Sequence, residues 1–129
     1  MTDLSQFADL AQAQEDGIDV DILHPKTGEK LGITIRVAGP DSHRQKKARN
    51  AINNERLRMS RNKRLTAPEL EADSLKITAA SIISWDGVVE NGQAVSLNIE
   101  NATAILTRYP FIREQLDSAV GDRAGFIKS

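Results

Sequence analysis

The chain has 129 residues, no cysteine and a net charge of −1, which predicts one domain with a modest core and excludes disulfides, thiolate catalysis and cysteine-based metal sites. No apolar run approaches the ~18–20 residues that a membrane-crossing helix needs. The start Met1-Thr2-Asp3-Leu4 lacks the basic and apolar stretches of a signal peptide, so a cytoplasmic protein with no membrane role is expected.

Residues 3–14 place Leu4, Phe7, Ala8 and Ala11 on one helical face, with Gly17 positioned to end the helix. A helix this short is marginal alone and must dock or fray. Ile18, Val20 and Ile22 then alternate with Asp19 and Asp21. Leu31, Ile33, Ile35 and Val37 alternate with Gly32, Thr34 and Arg36. This period of two predicts a pair of half-buried strands. Between them His24-Pro25-Lys26-Thr27-Gly28-Glu29 is a turn, which makes an N-terminal hairpin. A hairpin needs cover from helices or another subunit, and its edges are open to further pairing.

Gly39-Pro40 breaks the second strand, and Ser42-His43-Arg44-Gln45 has the Ser-x-x-Gln form of a capping box. The basic helix it opens covers residues 42–65, with Ala48, Ile52, Glu55 and Met59 along one side. That stripe is too narrow for deep burial, so most of the surface is left to solvent or a partner. Thr66-Ala67-Pro68-Glu69 is a second capping box, followed by a wider stripe of Ala72, Leu75, Ala79, Ile82 and Ile83. Helix is favoured through Ile83, although the β-branched pairs Ile77-Thr78 and Ile82-Ile83 leave a strand open near Trp85. Asp86-Gly87 and Asn91-Gly92 signal turns, and residues 94–97 form an extended link. Ile99, Ala102, Thr103, Leu106 and Tyr109 mark a helix that Pro110 stops or re-aims. Ile112, Leu116, Ala119 and Val120 line a last helix that fades near Gly121 and Gly125. The expected fold is α+β and predominantly helical, a single domain over residues 1–129. Residues 1–39 form the terminal helix and β-hairpin, and residues 40–129 hold about four helices.

Catalytic chemistry finds little support in these residues. His24 and His43 have no cysteine or spaced histidine to share a metal. Asp41-Ser42-His43 has the residue types of a triad, but neighbours at a helix start cannot hydrogen-bond in that order, and capping is the better reading. Pro25-Lys26-Thr27-Gly28-Glu29-Lys30 lacks the first glycine and the Gly-Lys-Ser/Thr ending of a phosphate loop and leads into a strand. Glu69, Glu71 and Asp73 crowd a helix N-terminus, where the helix dipole already favours them. No catalytic residue, metal or cofactor is expected.

Charge is the stronger signal. Residues 1–40 carry −4, residues 41–65 carry +7 and residues 66–129 carry −4. A basic block between acidic flanks attracts nucleic acid, or the acidic flanks of a second copy. The basic helix has no aromatic residue for base stacking and the whole chain is not basic, so nucleic acid is the alternative and protein contact is favoured. Head-to-tail contact between copies propagates into a ring or spiral. The residues expected to carry it are Leu4 and Phe7, with the hairpin edges, and Arg44, Lys46, Lys47, Arg49 and Arg56 of the basic helix, set against the acidic hairpin of the next copy. Trp85, the only tryptophan, is expected to be a structural anchor together with Asp86 and Gly87.

The order of features then becomes informative. An acidic hairpin leads to a charged helix, then to Trp85-Asp86-Gly87-Val88 and the Asn91-Gly92 turn. Asn98-Ile99-Glu100-Asn101 opens a helix ending at Tyr109-Pro110, and Ile112-Arg113-Glu114-Gln115-Leu116 begins the last one. This arrangement resembles the tail assembly chaperones of long-tailed bacteriophages and prophages, best over residues 75–127 and more loosely over the hairpin. The resemblance implies a non-catalytic factor of the host cytoplasm, absent from the mature virion. It implies that the chain coats and solubilises the helical tape measure protein and helps recruit the major tail protein. The short form of such a chaperone would end at Ser129, and a frameshifted longer form occurs in many relatives.

Overall fold

The computed structural model describes residues 3–59 and 65–126. Its centre is a three-stranded antiparallel sheet of β1 (Ile18–Leu23), β2 (Lys30–Val37) and β3 (Ile82–Asp86), in the order β1-β2-β3. Apolar residues line up across the strands. Ile18, Val37 and Ile82 make one row, and Val20, Ile35 and Trp85 make the next. Such directly opposed pairs are the unit of sheet stability. The other face carries Asp19, Arg36 and Ser84 in register. Helices α3 (Ala67–Ser81), α4 (Ile99–Arg108) and α5 (Pro110–Gly121) supply the rest of the core. Ile22, Ile35, Val37 and Ile82 from the sheet pack with Ala79, Ala102, Ile105, Leu106, Ile112 and Leu116 from these helices. The α+β class, with its hairpin and mainly helical remainder, therefore stands as expected.

β3 corrects the expected run of helix through Ile83. Helix α3 stops at Ser81, and Ile82 already has extended backbone. The edge of β2 offers unpaired backbone groups there, and a strand lets Ile82 and Trp85 bury on the core face. Tertiary pairing overrides the helical spacing.

The N-terminal helix also differs. Leu4–Phe7 is a 3₁₀ turn, and α1 covers only Leu10–Asp16. The Asp3 carboxylate accepts the Ser5 N–H, starting the turn, and the chain restarts at Asp9, whose carbonyl accepts the Ala13 N–H. Leu4, Phe7, Ala8 and Ala11 lie exposed, whereas Ala13 and Gln14 are buried. Gln14 is buried because its amide is satisfied: Nε2 donates to Asp41 at 3.0 Å and Oε1 accepts the Asp41 N–H at 2.6 Å.

α2 (His43–Met59) is the basic helix. Ser42 Oγ accepts the Gln45 N–H, but the Gln45 side chain accepts from Arg49, so only half of the capping box forms. Ala48 and Ile52 turn inward as expected, Glu55 is exposed, and the Met59 side chain lies outside the described residues. The Thr66–Glu69 capping box of α3 is complete. Along α3, Leu75 and Ala79 face inward, Ala72 is exposed, and Asp73, Thr78 and Ser81 are buried. Thr78 Oγ1 donates to Asp117 on α5 at 2.5 Å, which satisfies that polar position. In α4, Ala102, Ile105 and Leu106 form the buried face, while Ile99 stands outside it. Pro110 opens α5, re-aiming the chain where its missing N–H is harmless.

Asn91-Gly92 turns the short hairpin of β4 (Val89–Glu90) and β5 (Gln93–Ala94). Two contacts fasten it. The Trp85 indole donates to the Val95 carbonyl at 3.0 Å. Glu90 accepts from Arg108 at 2.6 Å and from the Tyr109 hydroxyl at 2.7 Å. Trp85 is half-buried against the core, while Asp86, grouped with it in the expected anchor, is exposed. The Arg108 guanidinium first, and then the Tyr109 hydroxyl, hold the Glu90 carboxyl below the usual glutamate range. A depressed carboxylate contributes stability above its unfolded value and loses it as pH falls through its folded one. Trp85 fluorescence is therefore expected to show a hairpin-release step below the usual carboxylate range, absent in Glu90→Gln. An identical acid titration in that variant would refute the assignment.

Candidate protein-interaction surface

The nine cations of residues 41–65 divide by their surroundings. Arg56 is engaged inside the molecule. Its guanidinium donates to both Asp73 oxygens at 2.8 and 3.1 Å and to Glu69 at 3.1 Å. This fork ties α2 to the first two turns of α3, and the Asp73 contact holds the Arg56 pKa above its ordinary value. Arg49 is also committed, donating to the Pro40 carbonyl and to Gln45, each at 2.9 Å. Arg56 and Arg49, expected at a contact between copies, instead fasten the α2–α3 pair and the chain entering it. Arg44, Lys46, Lys47 and Arg58 are exposed and make no ion pair with a described residue. Arg61, Lys63 and Arg64 lie outside the described residues.

The acidic hairpin has largely matched itself. Asp19 meets Arg36 at 3.1 Å, and Asp21 meets Lys30 at 3.3 Å. Asp21 also accepts from Thr34, and this hydrogen bond, with Lys30, lowers its pKa. These exposed pairs are individually weak, but they place cations beside the very acids assigned to a neighbouring basic helix. Glu71 and Asp117 are likewise engaged with Arg113, tying α5 to α3. The sheet edge at β1 is partly covered too. The Gln115 amide donates to the Leu23 carbonyl and accepts the Leu23 N–H, both at 2.9 Å.

Beside the free cations runs an open groove of about 790 Å³ between α2, the end of α3 with β3, and the start of α4. Its floor is Ala48, Ala51, Ala80, Ile83 and Ile99, and Ile99 is 55% exposed. His43, Arg44 and Lys47 rim it. The acid on that rim, Glu15, accepts the His43 N–H and so helps cap α2. Small side chains at Ala48 and Ala51, one turn apart, keep the floor low, while Ile99 projects from the first turn of α4. Arg44 and Lys47 were legible as cations, but Ala80, Ile83 and Ile99 belong to segments that only the fold brings to α2.

The other expected apolar positions lie elsewhere. Leu4 is 79% exposed and Phe7 46% exposed. Phe7 lines, with Leu10, Ala13 and Phe126, a smaller groove of about 280 Å³. His24 is a turn residue: its Nδ1 accepts the N–H groups of Lys26 and Thr27 at 3.0 and 3.2 Å. Compared with protein-family models, curated proteins and solved structures, the chain has no match.

Proposed function

We propose that this chain is a non-catalytic tail assembly chaperone of a long-tailed bacteriophage or prophage. It acts in the host cytoplasm and is absent from the finished virion. There it associates with copies of itself, holds the long apolar helices of the tape measure protein in solution, and helps recruit the major tail protein. The reading draws its family from the feature order of residues 75–127. The observation that carries it is on α2, where Arg44 and Lys47 rim an apolar groove with Lys46 on the same helix, and none of the three pairs with an acid among the described residues. A surface of that kind suits segments that are apolar on one side and acidic on the other.

Co-expression with the cognate tape measure protein is expected to raise that protein's soluble fraction several-fold and to carry both chains through purification together. If the tape measure protein precipitates equally with and without this chain, the reading is wrong. Nucleic-acid binding by α2 is the competing reading. Arg49 and Arg56 are engaged internally, which leaves Arg44, Lys46, Lys47 and Arg58 as the described cations free to meet phosphate. Four phosphate contacts would give a log–log salt slope of roughly −3.6, which a duplex-binding titration reads directly.

A further inference from the structure

We infer that the N-terminal turn of one copy, Leu4 and Phe7 between Asp3 and Asp9, seats in the α2/α3/α4 groove of the next copy. The inference rests on the self-association in the reading above and needs no tape measure protein. Residues i and i+3 of a 3₁₀ turn eclipse one another, so Leu4 and Phe7 share a side about 6 Å apart. They form a two-residue apolar plug, 79% and 46% exposed. The groove supplies a matching apolar floor in Ala48, Ala51, Ala80, Ile83 and Ile99.

The charges also match. Asp3 and Asp9 flank the plug, and Arg44 and Lys47 rim the groove, with Lys46 on the same helix. The hairpin acids are the weaker candidates for these cations, because Arg36 and Lys30 already neutralise Asp19 and Asp21. The plug does not fill the groove of its own chain. Gln14 is bonded to Asp41 and Glu15 to His43, which fixes α1 beside α2, while Phe7 lies on the side of Phe126. Plug and groove are different surfaces of one molecule, so the contact is heterologous and leaves a free plug and a free groove at the ends of every assembly that has not closed into a ring.

That property gives the test. Sedimentation velocity is run on the full chain, on Leu4→Asp/Phe7→Asp, on Arg44→Glu/Lys47→Glu and on an equimolar mixture of the two variants. The parent chain is expected to grow beyond a dimer with concentration. Each variant self-associates on the order of a hundredfold more weakly, the effect of losing two contacts at an interface centre. Their mixture recovers one intact plug and one intact groove, and stops at a one-to-one pair. All substituted residues are exposed, so far-UV circular dichroism should be unchanged, and Leu4→Asp alone serves as a milder second variant. If the parent assembles and the plug variant assembles equally, this contact is wrong while self-association stands. A mixture in which both folded variants stay monomeric also overturns it. A parent chain monomeric at every concentration overturns this contact and the self-association it rests on. Loss of tape measure solubilisation alone leaves the contact intact.

Discussion

Gly87→Ala is expected to destabilise the fold by about 3 kcal/mol or more, whereas Gly28→Ala should cost only about 1 kcal/mol. Both glycines hold positive φ, +80° and +75°, so alanine meets the same backbone penalty at either. They differ in what surrounds them. A Cβ on Gly87 would lie 2.0 Å from the Gly32 carbonyl oxygen, whereas nothing stands within 4 Å of one on Gly28. The obstruction at Gly87 is backbone, which yields only if the chain leaving β3 moves away from β2. That movement would disturb the pairing of Ile35 with Trp85, so the single tryptophan should report it. Urea denaturation followed by Trp85 emission measures both variants against the parent. Equal midpoints for the two substitutions would show that close approach at Gly87 contributes nothing.

Phe126→Ala should lower stability by about 3 kcal/mol, or the thermal midpoint by about 10 °C in a chain of this size. Phe126 is 2% exposed although it lies in the final 3₁₀ turn, Arg123–Phe126. Its ring lines the groove formed with Phe7, Leu10 and Ala13, so the C-terminal turn and α1 cover each other. Losing the ring should raise amide exchange in α1 first, with α4 and α5 keeping their protection. Leu4, by contrast, is so exposed that its truncation should leave the monomer's midpoint nearly unchanged. A Phe126→Ala chain with parental midpoint and parental exchange in α1 would refute this account of the C-terminus.

Some of this was readable along the chain and some was not. The β1–β2 hairpin was legible because charges alternate strictly with branched apolar residues, a pattern with one burial solution. The Thr66 capping box and the inward faces of α4 and α5 were legible for similar local reasons. β3 was not, since Ile82 and Ile83 continue a helical spacing. The decision was made by an edge of β2 more than forty residues earlier in the chain. Ala13 and Gln14 displaced Leu4 and Phe7 as the buried side of the N-terminus because Asp41 happened to arrive with a matching donor and acceptor. The basic block was plain from composition. Which cations were free depended on the α2–α3 packing that delivers Glu69 and Asp73 to Arg56. The groove is assembled from three separated segments, so no local spacing announces it.

Gln115 has a consequence for how this molecule can pile up when abundant. By occupying the outward backbone donor and acceptor of Leu23, its amide stands where an intruding strand would begin to zip. That flank of the sheet is chaperoned from within by its own helix. Growth into amyloid-like ribbons is therefore discouraged at that edge.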